Sequence, residues 1–156
     1  MIRVLITGAN SYIGVSVEKW LMKTPEQFHV DTVDTMNDTW KQVDFSLYDV
    51  VFHVAGIAHV DPKPKMAPLY YKVNRDLAVE IARHAKECGV KQFVFMSSKI
   101  VYRSSKDLKD HVVTLHTEPK PNDFYGDSKL QAEKGLNELA CDSFRVANLR
   151  PCMIYG

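Results

Sequence analysis

Neither charge nor cysteine nor hydrophobic length dominates this sequence, and each shortage removes a class of function. A formal charge of +1 over 156 residues leaves no basic or acidic excess with which to hold nucleic acid or a membrane surface. Three cysteines, Cys88, Cys141 and Cys152, are widely spaced and odd in number. That suits reduced thiols better than a disulfide frame or a metal site. No apolar run approaches the roughly 20 residues that span a bilayer, and the first residues lack a charged region followed by an apolar one. The expectation is a cytoplasmic protein with neither a nucleic-acid nor a membrane partner. What is present is ordinary for a globular domain: 46% hydrophobic and 25% charged residues, in a chain long enough to bury one sizeable core.

Internal repeats and low-complexity segments are absent as well, and two periodicities alternate along the chain instead. Ile2 to Thr7 is a short β-branched run that stops at Gly8, the pattern of a buried parallel strand. Apolar Ile13, Val17, Trp20 and Leu21 then predict a helix from about Tyr12 to Lys23. Further strands are predicted at Phe28 to Val33, Asp49 to Gly56, "KQFVFMSS" and "FRVANLRP". Leu69 to Cys88 is the clearest helix, with Leu77, Ile81 and Ala85 in a stripe and Gly89 as its stop. Phe124 to Leu139 reads as another, with Leu130, Lys134 and Glu138 on successive turns. Pro62, Pro64 and Pro68 mark a loop, and Ser104 to Asn122 is polar enough to be one.

Alternating strands and helices imply βαβ units, hence an α/β, Rossmann-like, doubly wound parallel sheet with helices on both faces. One interval breaks the pattern. Asp34 to Val50 contains the turn-like "MNDT" and is too short for a crossover of about a dozen residues plus another full strand. The third strand of such a sheet is therefore predicted to be shortened or missing. The chain stops at "MIYG" just after a strand, so residues 1–156 are expected to be the N-terminal, nucleotide-binding part of a longer enzyme, with its substrate lobe in the part that follows.

"TGANSYIG", Thr7 to Gly14, lies between the first strand and the first helix. That context raises a glycine loop above chance. Gly8 permits the tight turn, Gly14 permits close packing of helix on strand, and the helix N-terminus offers N–H groups and the positive dipole end to a pyrophosphate. Ser11 stands where a middle glycine would be usual; its hydroxyl can donate to phosphate or cap the helix. Asp34, at the end of the second strand, is placed to accept from adenosine ribose hydroxyls. No Arg or Lys follows closely to welcome a 2′-phosphate, which favours NAD over NADP.

"YGDSK" puts Tyr125 and Lys129 at i and i+4, on one helix face. A phenol near pKa 10 is a poor base at neutral pH. A neighbouring ammonium would favour the phenolate and could also hold the ribose of a nicotinamide nucleotide. Ser97 and Ser98 end the preceding strand, at the carboxyl edge where such folds bind ligands. His53 and His59 flank the "VAG" strand end, but no carboxylate or cysteine cluster joins them, so packing is the simpler role.

With these segments in order, the chain resembles an extended short-chain dehydrogenase/reductase of the NAD-dependent epimerase/dehydratase family, and within it the UDP-glucose 4-epimerases. The likeness runs over the whole chain through "TGANSYIG", "YDVVFHVAGIAHV", "YYKVNRDLA", "VKQFVFMSSKIVY", "YGDSKLQAE" and "RPCMIYG". It implies Tyr125 as catalytic base and acid, Lys129 as its pKa-lowering and ribose-binding partner, and Ser98 as the hydroxyl that orients substrate. It assigns Gly8, Asn10, Ser11, Tyr12, Ile13 and Gly14 to the pyrophosphate loop, Asp34 to the ribose, and Asp44 with Phe45 to adenine. Ala55 and Gly56 would lie under the nucleotide, with Ser97, Asn74 and Pro151 around its nicotinamide end. Ser11, Arg103, Cys152 and Ala58 depart from residues common in the family. The activity so implied is NAD-dependent epimerisation of a UDP-sugar by a homodimer. A sugar-nucleotide dehydratase or reductase of the same family is the nearest alternative, though Lys99 and Ile100 after Ser98 supply no extra acid/base pair for a dehydratase. A non-catalytic NAD(H)-binding module is the other, and the retained Tyr125–Lys129 pair argues against it.

Overall fold

A computed structural model describes residues 1–58, 63–102 and 112–155. Five strands, β1 (Ile2–Thr7), β2 (Phe28–Val33), β3 (Val50–His53), β4 (Gln92–Met96) and β5 (Arg145–Leu149), form one sheet in the order β2-β1-β3-β4-β5. All four pairings are parallel. The chain leaves β1 toward one edge to make β2 and then returns past it to make β3. The crevice at the carboxyl ends of β1 and β3 is therefore the switch point where open α/β sheets bind ligands.

The strands are buried on alternate faces. Leu5, Val51, Phe93 and Phe95 join α3 (Leu77–Glu87) and α4 (Phe124–Leu139) in the main core. Ala78, Ala82, Ala85 and Ala132 are small enough to let the helices seat closely beside Ile81 and Leu136. On the other face Val4, Ile6 and Phe52 pack against Ile13, Val17 and Leu21 of α1 (Tyr12–Leu21). The expected doubly wound sheet is thus present, and the strand expected to be shortened or missing is missing: none lies between β2 and β3. Between β2 and β3 the chain makes two short 3-10 turns, Asp38–Gln42 and Phe45–Leu47. They drop Trp40 and Phe45 into the core and are capped by the side chains of Asn37 and Asp44.

Three local readings differ from expectation. The helix from Leu69 is interrupted: α2 (Ala67–Tyr70) runs into a π turn at Tyr71–Asp76 before α3 begins. An extra residue per turn leaves the composition unchanged while rotating the residues beyond it. Trp20 lies off the apolar stripe of α1, 68% exposed, with the Lys23 ammonium 4.7 Å from its ring centre. On α4 the buried face carries Ser128, Lys129, Ala132, Glu133 and Leu136, while Lys134 and Glu138 point to solvent.

The two tryptophans give a direct test of this packing. Trp40 is 2% exposed, edge-on to His84 and tilted against Phe45, so Trp40→Ala is expected to cost about 3–5 kcal/mol in urea unfolding. Trp20→Ala should stay within about 0.5 kcal/mol of the parent. Equal losses at both positions would contradict the placement.

Candidate functional site

The glycine loop owes its shape to a close crossing of two strand ends. Gly8 has φ +112°, and a Cβ there would lie 2.7 Å from the Ala55 nitrogen; no side chain fits. Thr7 O accepts from the N–H groups of both Val54 and Ala55, which holds β1 and β3 together at this point. Gly8 N and Ala9 N both donate to Val33 O, so Asp34 stands beside the loop at the end of β2. Asn10 takes the left-handed conformation, φ 63°, that asparagine tolerates.

Ser11 caps α1: its Oγ accepts from Gly14 N at 3.1 Å. A Cβ on Gly14 would come within 2.6 Å of that oxygen, so the serine and the glycine fit as a pair. Tyr12 and Ile13 occupy the first helical positions, where N–H groups have no intrahelical acceptor. They face a cleft of about 420 Å³ together with Ser11, Gly56, Ser97, Ser98, Tyr125, Lys129 and Pro151. Nine of the predicted residues are thereby brought to one concavity. Gly8, Gly14 and Ala55 form the backbone crossing beneath it, and the segment after Pro151 lines it further.

The carboxyl end of β4 is met residue by residue by α4. Ser98 and Tyr125 come together in the cleft wall, where the serine hydroxyl acts to lower the pKa of the phenol. Lys129 Nζ donates to Met96 O at 2.9 Å and sits 4.7 Å from the centre of the Phe95 ring. Ser97 Oγ donates to Glu133 Oε1 at 2.5 Å. Tyr125, Lys129 and Glu133 are spaced by four, a single stripe on one helix face. Tyr70 supports the stripe from the side, its ring edge-on to Tyr125 at 5.9 Å.

Two predicted roles are corrected by these contacts. Lys129 was expected to pull the Tyr125 phenol down. Burial instead pushes that phenol above its usual value, with Tyr70 and Asp123 adding to the rise, and the opposing pull comes from the Ser98 hydroxyl. The ammonium is turned toward Met96 O and lies next to Gly56. Burial lowers its own pKa to about 8, against a contrary influence from Glu133. Phe45 was matched to adenine, but its ring is fully buried in the core against Trp40 and His84. Asp44 is exposed, its carboxylate accepting from Ser46 N and Oγ. Asp34 likewise accepts from Met36 N.

Asn74 lies behind the cleft rather than in it. The π turn brings it inward, where Oδ1 accepts from Ile57 N at 2.8 Å and Nδ2 donates to Ile57 O and Ser128 Oγ. It ties the loop after β3 to α4. His53 is fully buried between Phe93 and Phe95, with Nδ1 2.7 Å from Thr7 Oγ1. Burial, and then the nearby Lys129 charge, hold its pKa down at about 3; it is a neutral packing residue. His59 and Arg103 lie outside the described residues, among which no group of three metal-ligating side chains converges. Glu133, Arg150 and Tyr102 were not foreseen. The signal for Glu133 was its place one turn beyond Lys129.

This chain belongs to the NAD dependent epimerase/dehydratase family, whose model matches residues 4–156. The UDP-glucose 4-epimerase of Vibrio cholerae is 32% identical over 98% of this chain and 52% of its own length. A 3-beta-hydroxysteroid dehydrogenase of Mycolicibacterium neoaurum is 23% identical over 99% of this chain and 48% of its own. The solved structure of MoeE5 in complex with UDP-glucuronic acid and NAD matches with a TM-score of 0.79 at 26% identity, covering 95% of this chain and 54% of that one. The chain thus spans about half the length of the curated relatives it matches. NAD is the cofactor of the family, and the residues fit it: the crossing at Gly8 is bare of side chains, and the start of α1 presents free donors.

The buried ammonium makes stability depend on pH. Lys129 titrates near 10.5 when unfolded and at about 8 when folded, so between these values the unfolded chain binds the extra proton and stability rises with pH. Relative to Lys129→Met, the parent should gain up to about 1.4 kcal/mol per pH unit through this window. Urea unfolding of both proteins between pH 7.5 and 10 measures it. Parallel profiles would mean an unshifted lysine.

Proposed function

We propose that the protein carrying this chain epimerises the 4-hydroxyl of a UDP-sugar by transient hydride transfer to NAD. The reading rests on Ser98 and Tyr125 lining one cleft together with the glycine loop and Lys129. It is supported by the likeness to a nucleotide-sugar epimerase over nearly all of this chain. Tyr12 and Ile13 N–H groups would take the pyrophosphate, Asp34 the adenosine ribose and Lys129 the nicotinamide ribose. NAD, when bound, supplies the hydride acceptor and donor.

The chain's own part is proton management. Ser98, beside Tyr125 in the cleft wall, would hold the sugar hydroxyl toward the phenol. Tyr125 takes the hydroxyl proton and returns it after the sugar has presented its other face. One turn away, Lys129 provides a fixed positive charge that needs no rearrangement. A dehydratase needs a further acid/base pair beside the serine. Here Ser98 is followed by Lys99 and Ile100, in a 3-10 turn that the serine itself caps.

The test is incubation of the full-length protein with UDP-galactose and with UDP-N-acetylgalactosamine, following epimer formation. Conversion of at least one is expected, and Tyr125→Phe should slow it by on the order of 10²- to 10⁴-fold. Tight NAD binding with conversion of neither sugar would refute the epimerase, and an unimpaired Tyr125→Phe would refute the base.

A further inference from the structure

Glu133 is 2% exposed, and a carboxylate in that position must be fully partnered to be tolerated. It is. Oε1 accepts from Ser97 Oγ at 2.5 Å and from Arg150 Nε at 3.0 Å; Oε2 accepts from Arg150 Nε at 3.2 Å and Nη2 at 2.5 Å. The Arg150 guanidinium goes on to Tyr102, donating from Nη1 to the phenol oxygen at 2.5 Å and lying over its ring. Each partner is the neighbour of a residue in the cleft wall. Ser97 lies between Met96, whose carbonyl holds Lys129, and Ser98, which meets Tyr125. Arg150 precedes Pro151, whose carbonyl accepts from Lys99 N. One carboxylate on α4 therefore gathers the ends of both β4 and β5.

We propose that Glu133 is a positioning residue of the site: it clamps these two strand ends to α4 and keeps the Lys129 ammonium charged at the cleft wall. The role of that ammonium toward a nucleotide rests on the function proposed above. Among the described residues, Lys129 is met on α4 by the Glu133 carboxylate, one turn along from it, and by the uncharged Tyr125, one turn before it; on β3 it is met by His53, which is neutral. At the end of β5 stands Arg150, already paired with Glu133. β4 presents the Phe95 ring and the Met96 carbonyl, and the π turn presents Asn74, none of which titrates. Among the described residues Glu133 is thus the anion that opposes the desolvation of Lys129, in keeping with its upward influence on that lysine.

The test is to follow Lys129 itself, by NMR of [¹³C]lysine-labelled protein with its signal assigned through Lys129→Met. In Glu133→Gln the Lys129 midpoint is expected to fall by at least about one pH unit, a tenfold change in ionisation. The upper pH limit of NAD affinity should move down with it. Arg150, left unpaired, will destabilise this variant, so the double variant Glu133→Gln/Arg150→Met is measured too. It removes the unpaired cation and should recover stability, with the Lys129 midpoint above that of Glu133→Gln but still below the parent's. An unchanged Lys129 midpoint in either folded variant overturns the proposal. If the parent protein binds no NAD, the proposed function fails, while the Lys129 midpoint still decides the role of Glu133.

Discussion

A buried ammonium has to be compensated within a few ångströms, because a charge taken out of water without partners costs several kcal/mol or more. Lys129, 4% exposed, imposes that requirement on everything around it. Its compensation comes from the Met96 carbonyl at the end of β4, the face of the Phe95 ring and, one turn along α4, Glu133. Glu133 in turn is itself a buried charge, and it is met by Ser97 and Arg150. A chain of obligations therefore runs from one lysine through α4 and β4 to the end of β5. The register of α4 on the sheet is set by charge as much as by the contacts of Ala132 and Leu136. Slippage by one residue would strand a cation and an anion together.

The glycine loop meets a different constraint, the crossing of β1 and β3 ends at Gly8 and Ala55. Only a residue without Cβ passes there, whatever the ligand. Ser11 is where the loop departs from the usual glycine pattern, and the cap it forms uses up the Gly14 N–H alone. The donors of the two preceding residues are left facing the cleft. The substitution thus trades some clearance for a fixed helix start, and a fixed start aims the remaining N–H groups.

The fold was legible where punctuation is local. Gly8, Gly89 and Pro151 closed elements close to where they end, Phe124–Leu139 emerged with the bounds expected, and the interval after Asp34 was too short for another strand on length alone. Other features depend on partners far away in the chain. The π turn at Tyr71–Asp76 has no compositional mark, since what it achieves is to bring Asn74 against Ile57 and Ser128. Trp20 matched a helical stripe in spacing, but at the edge of α1 its ring meets solvent. Phe45 was placed at adenine by its neighbour's match, whereas the shortened crossover needs its ring to fill the space a strand would have filled. Glu133 was not singled out, because nothing in the sequence says that Arg150 will meet it.

The same distance between motif and mechanism holds for Tyr125. The spacing of tyrosine and lysine suggested that the ammonium alone would prepare a phenolate. In the folded chain one of the lysine's three N–H donors goes to Met96 O, and burial pushes the phenol pKa above its usual value. The downward pull of the Ser98 hydroxyl does not offset that burial. Any reaction in which Tyr125 accepts a proton at neutral pH then requires a favourable charge or hydrogen bond that arrives with its ligands. For the base proposed above, proton transfer would in that way be tied to a filled cleft.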